Sequence, residues 1–462
     1  MDTIQGSALN DEPFPHHIFR EYDVRGVAGE EITENLAYRL AQAYASMLPA
    51  DESRPVIVAR DVRLSGPKLL AVVIEGLRDA GVDVLDIGMV PTPLAYYSVF
   101  EHESAGCLVV TASHNPSNYN GFKMMIGRES LHGEDIQLLK KRMLETAEKH
   151  EQRGSYKSMD IAPEYSDFVA GDIDLSRPLK VVIDAGNGPS GTIAGPIYRR
   201  LGCEVVELYC EPDGHFPNHH PDPTIEANMR DLAATVREHH ADLGIAFDGD
   251  GDRIGVVDEK GAMIWGDMLL LLLSRHLLRS HPAATIISEV KSSQVMYDDI
   301  KAHGGKPIMW RTGHSPIKAK MKETGALLAG EMSGHMFFAD RFFGFDDAVY
   351  AGARVMQVIA DQNSPASMLL AKLPKTVTTP EIRLDCPDDR KFKLVEAAKL
   401  HFSKAGYHII DVDGMRIKFN DGWGLLRASN TQPGLVLRFE APDEKRLKAM
   451  RDLIEEWLKH NV

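Results

Sequence analysis

Gly106-Cys107-Leu108-Val109-Val110-Thr111-Ala112-Ser113-His114-Asn115-Pro116 runs without a break from an apolar stretch into a polar turn. Five small and β-branched apolar residues in a row read as a buried strand. Asn115-Pro116, Asn118 and Asn120-Gly121 then mark turns, so Ser113 stands on an exposed loop at the mouth of a strand. A serine there, beside a histidine, is placed as a nucleophile or phosphate carrier. From this segment alone, an ordinary turn with a serine cap fits equally well.

The same strand-into-loop pattern recurs along the chain. A first set of apolar runs lies at Pro55–Ala59, Val82–Ile87 and Cys107–Val110. A second lies at Leu179–Ile183, Cys203–Leu208 and Leu243–Phe247, and a third at Ala284–Ser288, Lys306–Trp310 and Ala326–Ala329. Stretches of helical periodicity, such as Pro67–Asp79 and Ile193–Arg200, separate the runs. Three copies of strand–helix–strand–helix–strand imply three α/β domains. In each copy the third run ends in a polar loop: around Ser113, Asp248 and Glu331. Open α/β sheets bind ligands beyond the carboxyl ends of their strands, so three such domains can aim three loops into one cleft. Beyond Lys372 the pattern changes. Leu373-Pro374-Lys375-Thr376 reads as a linker, followed by strands at Arg416–Phe419 and Leu435–Glu440 and helices at Lys391–Phe402 and Asp443–Lys459. The expected limits are 1–158, 159–260, 261–372 and 373–462, the last a smaller α+β unit.

Asp248-Gly249-Asp250-Gly251-Asp252-Arg253 follows the strand-like Asp242–Phe247. Glycine weakens helix and strand alike, and three carboxylates at alternate positions repel unless a cation sits among them. Hard oxygen donors on a loop suit Mg²⁺, with phosphate oxygen or water completing its shell. Arg253 adds a fixed cation for a phosphate or carboxylate. An acidic solvated turn is the plain alternative. The glycine placement and the lack of a closing glutamate exclude an EF-hand.

With 462 residues the chain exceeds a single hydrophobic core. Fifty-two basic and 67 acidic residues leave a formal charge of −15, which argues against a nucleic-acid surface. Four scattered cysteines form no CxxC pair and fit a reducing compartment. No signal peptide is visible at Met1–Gly6, and the apolar run Met268–Leu273 is too short for a membrane span and reads as a core helix. A cytoplasmic protein, monomeric or weakly dimeric, is expected. Adjacent His219 and His220 point apart in an extended chain, so loop packing is the reading there.

Five segments in order resemble the α-D-phosphohexomutases, and within them the phosphomannomutase/phosphoglucomutase enzymes. They are Phe19-Arg20-Glu21-Tyr22-Asp23-Val24-Arg25-Gly26, Thr111–Pro116, Asp248–Arg253, Gly330-Glu331-Met332-Ser333-Gly334-His335, and Arg427-Ala428-Ser429-Asn430-Thr431-Gln432-Pro433. The resemblance covers nearly the whole chain. It implies an α/β protein of three similar domains with mixed sheets, plus a mobile C-terminal α+β domain, around one central cleft. It also implies reversible transfer of phosphate between C1 and C6 of glucose or mannose. A phosphorylated Ser113 would give its phosphoryl group to a hexose monophosphate, and the 1,6-bisphosphosugar formed would turn around in the cleft. Phosphoryl transfer of this kind depends mostly on positioning and charge neutralisation. Asp248, Asp250 and Asp252, with Ser113, would hold Mg²⁺, and glucose 1,6-bisphosphate would act as activator.

By motif position, Lys123, His114, Arg20 and His335 are the candidates for proton handling. Lys123, ten residues after Ser113 on the same loop system, is the favoured one for proton transfer or charge stabilisation; a solvated lysine is its alternative. His335 fits equally as a packed histidine orienting Glu331. Arg427, Ser429, Asn430 and Thr431 suit a dianionic phosphate. Glu331 and Ser333 would hold the sugar's O3 and O4, contacts that tolerate either C2 epimer. Tyr22, Arg253, Lys291 and His314 match cleft-lining positions. A phosphoglucosamine mutase shares this chemistry, but Phe19–Asp23 and Glu331-Met332-Ser333 fit the hexose enzymes better. A phosphosugar phosphatase would release inorganic phosphate steadily. A noncatalytic sugar-phosphate sensor has no need of the intact serine, aspartates and Arg427.

Overall fold

The computed structural model describes residues 14–145, 152–362, 364–429 and 433–461. Each of the first three sheets is built around one four-strand unit. In the first, Val84–Met89, Val56–Arg60 and Gly106–Val110 run parallel in that order, and Tyr119–Ile126 joins antiparallel to the last. The second repeats it with Glu204–Leu208, Lys180–Asp184, Leu243–Phe247 and antiparallel Ile254–Asp258. The third does so with Lys306–Trp310, Thr285–Glu289, Leu328–Gly330 and antiparallel Met336–Phe338. Each polar loop of the sequence pattern is therefore a hairpin turn between the third parallel strand and the antiparallel fourth. That antiparallel strand is what makes the sheets mixed.

The nine expected runs all contain strands, and the helices are Gly66–Asp79 and Gly191–Arg200 where periodicity placed them. Met268–Leu273 lies inside the buried helix Gly266–Ser280. Among the described residues no helix is long and apolar enough to cross a membrane. The four cysteines are free, three of them buried. One apolar cluster runs from Ile57 and Val109 through Ile183 and Phe247 to Leu328 and Tyr350, so the three sheets share a core. Burial of this kind is worth about 25 cal/mol per Å² of apolar surface, which holds the three loops in fixed relation.

Asp347 shows how tightly the third unit is built. Its Oδ1 accepts from Tyr350 N at 2.9 Å and caps the helix Ala348–Ala360, while Oδ2 accepts from the Tyr165 hydroxyl at 2.8 Å. Burial pushes its carboxyl up to about 7. The native state thus favours the neutral form. That contribution is complete below the unfolded carboxyl's range near pH 4 and is lost as pH rises through 7. Asp347→Asn keeps a cap without the charge. It is expected to be more stable than the parent at pH 8, by at most about 4 kcal/mol on linkage, with the gap closing by pH 4 in denaturant titrations.

The C-terminal unit has its own core. Its antiparallel sheet includes Trp423–Ala428 and Gly434–Ala441, with helices Asp388–Lys404 and Glu444–Lys459 packed on it. Leu373–Thr376 has no regular structure. Arg416 docks this unit on the third: its guanidinium donates to Val290 O at 2.6 Å and Ser292 O at 2.9 Å and stacks on Trp423.

Candidate active site

Ser113 sits in the first hairpin turn with φ +49°, a left-handed conformation uncommon for a residue with a Cβ. The exposed loop expected from sequence is not observed: Ser113 is 1% exposed, because the aspartate loop of the second sheet closes over it. Its hydroxyl donates to Asp248 Oδ2 at 2.6 Å and lies 3.1 Å from His114 Nδ1. A Cβ on Gly249 would fall 2.3 Å from Ser113 O, so only glycine lets the two loops approach this closely.

The aspartate turn is tight because Asp248 Oδ1 accepts from the backbone N–H groups of Gly251, Asp252 and Arg253 at 3.0–3.2 Å. Burial, and then Asp252 and Asp250, push the Asp248 carboxyl well above its ordinary range. Lys123 extends from the antiparallel strand Tyr119–Ile126 and not from a loop, paired in register with Val109. That strand presents its ammonium to Asp250 Oδ2 at 2.7 Å and to Asp252. Burial opposes the lysine's charge, yet Asp250 and Asp252 outweigh it and hold Lys123 above its usual value. His114 is held well below its usual value by burial, then by Arg253 and Arg25.

One carboxylate oxygen each from Asp248, Asp250 and Asp252 lie within 4.8 Å of one another, all buried. Asp250 Oδ1 and Asp252 Oδ1 are buried without hydrogen-bond partners. Orphaned hard anionic oxygens converging beside Ser113 fit Mg²⁺.

The third hairpin turn meets the second through Ile254 N, which donates to Gly334 O at 3.1 Å. Arg253 Nε donates to His335 Nε2 at 2.9 Å, and His335 Nδ1 lies 2.9 Å from Asp346 Oδ2. The His335 ring therefore contacts Arg253 and Asp346; only its backbone carbonyl meets Glu331, accepting from its N–H at 2.9 Å. Glu331 Oε1 accepts from Gly313 N at 2.7 Å; burial, and then Glu289, raise its carboxyl. His314 stacks on His335, and Tyr22 meets His314 edge-on while its hydroxyl donates to Thr312 O at 2.8 Å. Ser333 is half-buried on the turn.

Arg427 Nε donates to Asp413 Oδ2 at 3.1 Å, and the same oxygen accepts from Thr312 N at 3.0 Å. Arg427 lies on the strand Trp423–Ala428 and not in a turn, and through Asp413 it ties the C-terminal unit to the third. Lys291 bridges likewise, to Glu289 at 3.4 Å and to Glu381 at 3.2 Å. Ser429 is buried directly after that strand, and Asn430 and Thr431 lie outside the described residues. Arg20 is half-buried, and its charge is among those that hold the Glu31 carboxyl below its usual value, after the Val27 backbone N–H and His17. His219 Nε2 donates to Asp184 Oδ2 at 2.9 Å, which is the loop packing expected.

Three residues escaped the sequence reading. Buried Glu289 accepts from Met332 N at 3.0 Å and Thr312 Oγ1 at 2.6 Å, joining the Thr312 and Met332 loops. Asp61 and Arg63, after the strand Val56–Arg60, lie under the serine loop. Only the strand-end position of Asp61-Val62-Arg63 hinted at them.

Sequence profiles of the phosphoglucomutase/phosphomannomutase α/β/α domains I, II and III match residues 16–150, 163–261 and 265–377, and that of the C-terminal domain matches 381–456. A phosphomannomutase/phosphoglucomutase of Pseudomonas aeruginosa is 46% identical over 459 residues, 99% of this chain and 98% of the relative. A phosphoglucomutase of Neisseria gonorrhoeae is 44% identical over 452 residues, 96% and 97% of the two chains. The crystal structure of a phosphoglucomutase/phosphomannomutase family protein from Burkholderia thailandensis superposes with a TM-score of 0.90 at 44% identity, covering 96% and 97%.

Proposed function

The chain belongs to the phosphoglucomutase/phosphomannomutase family, and from that membership we infer how its own residues divide the work. It is an isomerase, an intramolecular phosphotransferase that moves a phosphoryl group reversibly between C1 and C6 of mannose and glucose phosphates. Ser113 is assigned as the carrier. The observation that supports this most is the Ser113–Asp248 hydrogen bond, which brings a hydroxyl from one domain onto the carboxylate cluster of another.

In this reading phosphorylated Ser113 gives its phosphoryl group to the free hydroxyl of a hexose monophosphate. The P–O bond to serine breaks as the P–O bond to the sugar forms. The hydroxyl's proton leaves, and the serine oxygen regains one. His114, 3.1 Å from Ser113 Oγ, is placed to exchange that proton. Lys123 is placed to hold positive charge beside the transferring group, and Arg20 is assigned to proton handling from its motif position. Asp248, Asp250 and Asp252 would hold Mg²⁺, which when bound would supply charge neutralisation at the phosphoryl oxygens. The bisphosphosugar then reorients and returns its other phosphate to Ser113. Glucose 1,6-bisphosphate restores the carrier when its phosphate is lost.

Arg427 and Ser429, with Asn430 and Thr431, take the phosphate that is not reacting, with Lys291 and Arg253 adding charge. Glu331 and Ser333 hold sugar hydroxyls common to glucose and mannose, and Tyr22, His314 and His335 shape the wall. The four free cysteines support a reducing, cytoplasmic setting. Glu331→Ala is expected to raise KM for glucose 1-phosphate about 10- to 100-fold, while inhibition by inorganic phosphate moves less than about twofold, because a hydrogen bond to a charged group is worth about 1.5–3 kcal/mol. Equal losses for both ligands would contradict the assignment.

Phosphorus NMR of glucose 1-phosphate and mannose 1-phosphate, with Mg²⁺ and a trace of the bisphosphate, tests the substrate reading. Both 6-phosphates should form, with almost no inorganic phosphate. Steady inorganic phosphate would indicate a phosphatase, and inertness toward both sugars would point to the glucosamine enzyme.

A further inference from the structure

Arg63 is wholly buried beneath the serine loop, and each arm of its guanidinium ends on that loop. Nη2 donates to Ser113 O at 2.7 Å and Asn115 O at 2.6 Å, and Nη1 donates to Pro116 O at 2.5 Å and Tyr119 O at 2.8 Å. Nε donates to Asp61 Oδ2 at 3.1 Å. Asp61 Oδ2 also accepts from Thr111 Oγ1 at 2.7 Å, and Thr111 Oγ1 in turn accepts from Ser113 N at 2.9 Å. Both backbone groups of Ser113, its N–H and its C=O, are thus tied to the Asp61–Arg63 pair.

We propose that Arg63, with Asp61 and Thr111, is a positioning residue for phosphoryl transfer, holding Ser113 in the left-handed conformation that aims its oxygen at the aspartate cluster. That backbone state is unfavourable for a non-glycine residue and persists only where the surroundings impose it. Four parallel acceptors on one fork are a device for imposing it. A planar guanidinium reaches all four; an ammonium at the same place has three donors and no fixed fork. None of these contacts involves substrate. The expected signature is therefore a change in turnover with substrate recognition intact. The inference rests on Ser113 being the phosphate carrier.

Arg63→Lys keeps a positive charge beside buried Asp61 and removes the fork. Thr111→Val keeps the shape of the side chain and removes the link to Ser113 N. For each variant, purified full-length protein shown folded by circular dichroism is assayed for kcat and KM with glucose 1-phosphate, and its Ser113 phosphorylation by glucose 1,6-bisphosphate is followed by intact mass. The parent should acquire one phosphate on Ser113. Both variants should acquire it more slowly, with kcat lower by about 10- to 100-fold and KM within about twofold, as a small misplacement of the reacting oxygen predicts. Parent-like kcat in either folded variant, or a rise in KM matching the fall in kcat/KM, overturns the positioning role. A failure of Arg63→Lys to fold leaves Thr111→Val to decide. A parent enzyme that turns over without phosphate on Ser113 sinks the carrier reading and this inference with it.

Discussion

Ser113→Ala is expected to lower turnover of glucose 1-phosphate by roughly 10⁴-fold or more, the scale on which loss of a covalent nucleophile acts. Nothing else among the described residues offers a hydroxyl to Asp248 Oδ2. Stability should change little. The variant loses one hydrogen bond, worth about 1 kcal/mol net, and the same loss removes a polar group otherwise desolvated beside three carboxylates. A Tm within about 3 °C of the parent is expected. Residual activity within tenfold of the parent would remove Ser113 from the mechanism.

Asp250→Asn is expected to cost about 10³-fold in kcat and at least tenfold in apparent Mg²⁺ affinity, since a metal Lewis acid is worth several kcal/mol of charge stabilisation. Asp250 Oδ2 accepts from Lys123 and from Thr92 Oγ1 at 2.7 Å each, and its other oxygen is buried without a partner. The amide retains one acceptor for those donors but removes a charge from the cluster. A second readout is thermal. Ligand at about 100 times its Kd stabilises a protein by about 2.7 kcal/mol, so the parent's melting temperature should rise with Mg²⁺ and the variant's much less. Parent-like Mg²⁺ dependence in both readouts would exclude Asp250 as a ligand.

Much of this arrangement is legible in the sequence because the relevant signals are local. Apolar runs such as Leu243–Phe247 end in short polar turns, and each such ending is a hairpin between the third parallel strand and the antiparallel fourth. The fourth, antiparallel strands were harder to see. Tyr119–Ile126 contains the turn signal Asn120-Gly121, and Met336–Phe338 is only three residues long, so each reads as a continuation of its loop. Lys123 was misplaced for that reason: strand pairing carries its side chain to the aspartates across 127 and 129 residues of sequence. The burial of Ser113 was hidden too, because what covers it comes from a loop 135 residues away. Arg63 and Glu289 carry no motif of their own. Their roles arise from carbonyls and amides brought near by tertiary packing, which periodicity does not report.

In the proposed mechanism Ser113 carries the phosphoryl group between the two ends of the sugar. A single-turnover experiment tests it most directly: enzyme is charged with glucose 1,6-bisphosphate labelled in both phosphates with ³²P, freed of excess reagent, mapped by peptide digestion, and chased with unlabelled glucose 1-phosphate. Label is expected on the Ser113 peptide, leaving it during the chase and recovered in hexose phosphate. Label on another residue, or label released from the chased enzyme only as inorganic phosphate, would contradict it.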